Sequence, residues 1–116
     1  MLEDFKIDIV KGIVVVRLDM MRATIKEAQE FKKTLLSALD MGRNKLIIDL
    51  SGCGYVDSSI LGVIVTMAKD VRTKGGDIKG VIKEGSVLNM FAQTGLERIF
   101  KHYSSLELAI SSFDQN

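Results

Sequence analysis

Between Lys45 and Val65 the chain reads KLIIDLSGCGYVDSSILGVIV, a strand, a loop and a helix start in unbroken succession. Leu46, Ile47 and Ile48 form a short apolar run, Asp49 ends it, and Ser51, Gly52 and Gly54 break the strand. Tyr55 and Val56 return the chain to the core. Asp57, Ser58 and Ser59 are favoured N-cap types, and Ile60, Leu61, Ile64, Met67, Ala68 and Val71 then recur at helical spacing on one face. A helix that follows a buried strand in this way crosses over a sheet and packs on it, which restricts the chain to α/β folds.

The rest of the chain fits that frame. Phe5, Ile7 and Ile9 alternate with Lys6, Asp8 and Val10, Ile13 to Leu18 is more continuously apolar, and Lys11-Gly12 makes a tight turn, so an N-terminal hairpin is expected. Ile25, Ala28, Phe31, Leu35, Ala38 and Leu39 predict a helix over 24–39, stopped near Gly42. A strand is expected over 45–50, a helix from Ser58 to about Lys74 closed by Gly75-Gly76, and a strand over 78–82. Ser86 is expected to cap a short helix to about Gln93, 99–102 to form an edge strand, and Ser104 or Ser105 to cap a last helix to about Ser112. The expected architecture is α/β, with a mixed four- to five-stranded sheet, the hairpin at one side and about four helices.

With 116 residues, no linker and no repeat, 1–116 reads as one domain with one core. Sixteen Lys plus Arg against fifteen Asp plus Glu leave a net charge of +1, so no long-range field draws nucleic acid or an acidic membrane. No apolar run approaches the roughly 18 residues that span a bilayer, and the acidic start Met1-Leu2-Glu3-Asp4 lacks the form of a signal peptide. The expected location is the cytoplasm.

The paired serines carry the chemistry. Helix N-termini leave backbone N–H groups unpaired and carry partial positive charge, so the fold tolerates a phosphate on Ser58. That phosphate adds about 1.5 to 2 negative charges beside Asp57 and opposes docking of a partner on the helix start. In an arbitrary protein, however, such serines are simply N-caps.

Asp57-Ser58-Ser59, followed by Leu61-Gly62-Val63 and preceded by the strand Leu46 to Leu50, resembles the phosphorylation loop of STAS domains, in particular bacterial anti-sigma factor antagonists. Arg17-Leu18-Asp19 followed by Thr24 is similar to the family's second-strand segment. Thr94 to Phe100 with Ser105 to Ala109 is similar to its C-terminal segment, so the resemblance runs along nearly the whole chain. Two positions depart from the pattern: Ile60 stands where most antagonists have Gly, and Val16 where Gly precedes the Leu-Asp pair. A β-branched residue at position 60 disfavours a left-handed backbone and crowds a kinase approaching the serines.

The resemblance implies the STAS fold and a partner switch. Unphosphorylated protein binds an anti-sigma factor that is also a serine kinase and so frees a sigma factor. The kinase phosphorylates Ser58, with Ser59 the alternative acceptor, and a PP2C-type phosphatase resets it. ATP belongs to the partner, so no cofactor and no small-molecule substrate is expected of this chain. Asp57 is a helix cap or also positions the acceptor, and Asp19 is a turn residue or a neighbour of the phosphoacceptor that affects its modification. A STAS module that is never phosphorylated, serving as a scaffold or sensor, is the alternative that Ile60 keeps open; the stand-alone length argues against a transporter tail.

The partner-binding face is expected to comprise Asp19, Met20, Met21, Asp57, Ser58, Ser59 and Ile60. Two adjacent thioethers in a loop cannot both enter one core, so at least one of Met20 and Met21 is expected at the surface, where flexible Met suits protein binding or merely fills the loop. With Ile60 and Val63 they would make an apolar docking patch beside Ser58. Cys53 is alone and reads as a small, partly buried filler rather than a redox centre. The one histidine, His102, has no evident base-and-nucleophile partners, and no Gly-x-Ser-x-Gly or Walker loop is present, so no enzyme is expected.

Overall fold

The computed structural model describes residues 5–114; the acidic start Met1 to Asp4 lies outside them. The hairpin β1 (Phe5–Val10) and β2 (Ile13–Leu18) turns on Lys11 and Gly12, both at positive φ, as a two-residue turn that matches strand twist requires. The chain continues through β3 (Arg22–Ala23), α1 (Ile25–Asp40), β4 (Lys45–Asp49), β5 (Tyr55–Val56), α2 (Ser58–Thr73), β6 (Asp77–Val81) and α3 (Ser86–Thr94). A short 3-10 turn (Leu96–Arg98), β7 (Lys101–Tyr103) and α4 (Leu106–Ser112) complete it.

The main sheet has the order β1-β2-β4-β6-β7. Only β1 is antiparallel to its neighbour; β2, β4, β6 and β7 run parallel. A parallel sheet is covered on both faces, and the burial pattern shows it. Val14, Val16, Leu18, Leu46, Ile48 and Ile78 face a core shared with α1, α2 and α3. Ile13, Val15, Ile47 and Val81 face a smaller cluster closed by Ala109 of α4. This two-sided burial explains why Ile13 to Leu18 is almost continuously apolar rather than alternating.

Several boundaries differ from expectation for local reasons. Thr24 is the N-cap rather than the first residue of α1; Glu27 reaches back to accept the Thr24 N–H at 2.8 Å. Ser86 does not cap α3. Gly85 occupies the cap position and the Ser86 hydroxyl donates to the Gly54 carbonyl at 2.6 Å. The edge strand expected over 99–102 starts at Lys101, because Ile99 closes the 3-10 turn and Phe100 turns fully into the core, stacked on Phe91. Ser105 caps α4, accepting the Leu108 N–H at 3.2 Å.

Two features of β6 escape periodicity arguments. Gly80 leaves room for Phe100: a Cβ there would sit 2.5 Å from the ring. Lys79, 7% exposed, donates to the Ser112 carbonyl at 3.1 Å and to its hydroxyl at 2.9 Å, with the ammonium 4.3 Å from the Phe113 ring centroid. Its charge thus fastens α4 to the sheet through hydrogen bonds and an aromatic face.

Candidate functional site

The site lies beyond the carboxyl ends of the parallel strands, where open α/β sheets gather their functional loops. β4 delivers the loop 50–57 there, and a second, two-stranded sheet fixes it. β3 pairs parallel with β5, Arg22 beside Tyr55 and Ala23 beside Val56. The Gly54 N–H donates to the Met21 carbonyl at 2.9 Å and the Asp57 N–H to the Ala23 carbonyl at 3.2 Å, while the Arg22 guanidinium sits 4.3 Å over the Tyr55 ring. The segment after β2 and the serine loop are therefore one structure, with Met21 and Arg22 held beside Gly54 and Tyr55.

The root of the loop is held by an ion pair between a buried carboxylate and a partly exposed arginine. Asp49, 3% exposed, accepts Arg17 Nε at 3.2 Å on one oxygen, and on the other the Ser51 N–H at 2.9 Å and hydroxyl at 2.6 Å. Sequence reasoning placed Asp49 at a strand end but not in this role. No local signal points to it, because its partner Arg17 lies on another strand 32 residues away in sequence.

Asp57 is the N-cap of α2. Its Oδ1 accepts the Ser59 N–H at 3.0 Å, the Ser59 hydroxyl at 2.5 Å and the Ile60 N–H at 3.3 Å, and its Oδ2 accepts the Ile25 N–H at 3.0 Å. The Ser59 hydroxyl above all, with these backbone N–H groups, holds the Asp57 carboxyl below the usual carboxylate range. Ser58 is exposed, and among the described residues its hydroxyl has no hydrogen-bond partner; Ser59 is half-buried and committed to Asp57.

Met21 is 77% exposed, while Met20 is half-buried against the core. The methionine sulfur packs on the loop: a Cβ at Gly54 would lie 3.1 Å from Met21 Sδ. Asp19 lies against the other end of the loop, its carboxylate 3.1 Å from where a Gly52 Cβ would be, and it pairs with Lys6 at 3.1 Å. Between the loop and the segment 83–87 a cleft of about 320 Å³ opens, lined by Ser51, Cys53, Lys83 and Ser86 among others.

Two expected contributors are misplaced. Ile60 is fully buried in the core and Val63 nearly so, so neither side chain joins an apolar patch with the methionines. The first turn of α2 directs position 60 inward while Ser58 faces solvent. Ile60 therefore takes an ordinary helical backbone rather than a left-handed one. Val16, the other departure, is also fully buried, between Ile7 and Ile48 in register. Cys53 is buried, its thiol donates to the Tyr55 carbonyl at 3.2 Å, and burial pushes its pKa up, as fits an inert filler. His102 lies 3.9 Å from Glu97, remote from the serines along the chain.

Among the described residues no group of three or more His, Cys, Asp or Glu side chains gathers as a metal site, and no helix is long and apolar enough to cross a membrane. What the arrangement offers is a free hydroxyl on a rigidly capped helix start, next to an exposed methionine and an exposed arginine.

Comparison with known proteins places this geometry in a family. The STAS domain family matches residues 4–109. A Thermotoga neapolitana protein named "putative anti-sigma factor antagonist TM1081 homolog" is 34% identical over 98 residues, 84% of this chain and 87% of that protein. A Thermotoga maritima protein named "putative anti-sigma factor antagonist" is 33% identical over 98 residues, with the same shares covered. The crystal structure of the Thermotoga maritima protein TM1081 superposes with a TM-score of 0.87 at 31% identity, covering 95% of this chain and 94% of that one. The five-stranded mixed sheet with its N-terminal hairpin thus has its counterpart in a "putative anti-sigma factor antagonist", and this chain belongs to the STAS domain family.

Proposed function

We propose that this protein is an anti-sigma factor antagonist controlled by phosphorylation at Ser58. The unphosphorylated form binds an anti-sigma factor that is also a serine kinase and releases a sigma factor; the protein acts on transcription in the cytoplasm without touching DNA. The kinase transfers a phosphoryl group from its own ATP to the Ser58 hydroxyl, and a PP2C-type phosphatase removes it.

The observation that carries this reading is the contrast between two adjacent serines. The Ser59 hydroxyl is bound to Asp57, whereas the Ser58 hydroxyl is exposed and unpartnered among the described residues. Asp57 already caps α2, so modification of Ser58 removes no hydrogen bond from the fold. The helix N-terminus accommodates the phosphate, and its charge beside the Asp57 carboxylate turns the docking surface strongly anionic. The partner-binding face comprises Ser58, Asp57, Met21 and Arg22, flanked by Asp19 and Met20, with Ser59 supporting the loop from within.

The test is phosphorylation of purified protein by the anti-sigma kinase with ATP, with the modified residue located by fragmentation mass spectrometry. Phosphate on Ser58, absent in Ser58→Ala and removed by the phosphatase, is expected. Phosphate on Ser59, or none on either serine, overturns the assignment and favours a scaffold module.

A further inference from the structure

Among the described residues β1 is a free edge of the main sheet, six residues of regular strand with Ile7 and Ile9 55% and 54% exposed. An apolar edge strand offers a row of unpaired N–H and C=O groups to another strand unless a bulge, a proline or an inward charge blocks it. β1 pairs with β2 residue for residue without a bulge, and the chain contains no proline. Beside the edge, Ile7, Ile9 and Val14 of the hairpin, Ala38 of α1 and its C-cap Met41 line an apolar groove of about 140 Å³.

The hairpin determines which backbone groups point outward. Lys11 and Gly12, at φ 53° and 80°, form a two-residue turn closed by the pair Val10 and Ile13. That closing pair is hydrogen-bonded, and such pairs alternate along an antiparallel ladder with pairs that are not. Val10, Asp8 and Lys6 therefore direct their backbone groups to β2, and Ile9, Ile7 and Phe5 direct theirs to the free edge.

We propose that a second copy of this chain docks on this edge, β1 antiparallel to β1 about a two-fold axis at Ile7. In that register Ile7 meets Ile7 and Phe5 meets Ile9 through the outward backbone groups. Lys6 of each copy meets Asp8 of the other at the non-hydrogen-bonded positions, where side chains approach most closely. The adjacent in-phase registers set Lys6 on Lys6 or Asp8 on Asp8, so charge selects the one centred on Ile7. The single chain leaves those charges short of partners: Asp8 makes no ion pair among the described residues, and Lys6, although it reaches Asp19, stands directly opposite Arg17. The dimer forms one continuous ten-stranded sheet (twice the five strands of one copy), in which the exposed face of Ile7 is covered by the other Ile7 and that of Ile9 by Phe5 of the other copy.

Sedimentation velocity over micromolar to millimolar protein tests this with wild type, Lys6→Asp, Asp8→Lys and the double exchange, folding being checked by circular dichroism. Wild type is expected to dimerise with concentration, each single reversal to weaken the dimer about tenfold or more, and the double exchange to restore it. A wild type that stays monomeric throughout, including one whose edge binds only a different protein, overturns the proposal. So does a dimer indifferent to single reversals, or folded double exchange that remains monomeric. Ile7→Cys provides a second arm: at the axis the Cα separation is about 5.5 Å, within disulfide range, so oxidation links Ile7→Cys dimers and leaves Lys11→Cys unlinked. Equal linking of both, or none in Ile7→Cys, counts against the register.

Discussion

Asp57 accepts the backbone N–H of Ile25 at 3.0 Å with the oxygen that α2 does not use, so one carboxylate caps the starts of α1 and α2. The two helices pack side by side on the same face of the sheet. Their N-termini are thereby locked at the loop that presents Ser58, and the loop is rigid where a partner would read it.

Removal of that carboxylate by Asp57→Ala is expected to lower the Tm, with a gap from wild type that depends on pH. A carboxyl whose folded pKa is depressed stabilises the fold above its unfolded value, near 3.8, and that stabilisation fades as pH falls through the lower folded value. The Tm gap should therefore be full at neutral pH and close progressively below about pH 4. Thermal denaturation of both proteins across that range checks it; a gap independent of pH contradicts the charged cap.

The adjacent serines should separate in stability. Ser59→Ala loses the hydroxyl bond to Asp57 and is expected to cost about 1 kcal/mol, whereas Ser58→Ala should stay within about 0.5 kcal/mol of wild type. Urea titration distinguishes them, and the reverse order would reassign the free hydroxyl.

Ile60→Ala removes a fully buried side chain from the core beneath the site and is expected to destabilise by about 2–4 kcal/mol. A surface contact residue would lose little on the same change. Under conditions where the variant is folded, its partner affinity should match wild type, because position 60 does not reach the surface.

Gly80→Ala places a methyl 2.5 Å from the Phe100 ring, which is itself stacked on Phe91. Displacement of that pair is expected to cost about 1–3 kcal/mol. Equilibrium unfolding measures it, and the double variant with Phe100→Leu should recover part of the loss.

The amphipathic helices α1 and α2 were legible in the sequence because burial on one face imposes a period, the buried strands β4 and β6 because burial on both faces leaves short apolar runs, and the hairpin because Lys11-Gly12 marks its turn. The serine loop was legible because N-cap residues and a strand end bracket it. Ile60 was misread since a motif treats consecutive residues as neighbours, whereas a helix turns each by about 100° and sends position 60 inward. β3 and β5 are two residues each and too short to show alternation, so the small sheet that joins Arg22 to Tyr55 had no periodic signature. The ties from Asp57 to Ile25, Arg17 to Asp49 and Lys79 to Ser112 each span more than thirty residues, and local pattern carries no information about such pairs.

The central claim is a switch at Ser58, and co-purification tests it most directly. Wild type, Ser58→Ala and Ser58→Asp serve as baits in the native lysate, with captured proteins identified by mass spectrometry. The account predicts that wild type and Ser58→Ala capture an anti-sigma kinase and Ser58→Asp does not. Equal capture of one partner by all three, or capture of a transporter or metabolic enzyme instead, would contradict it.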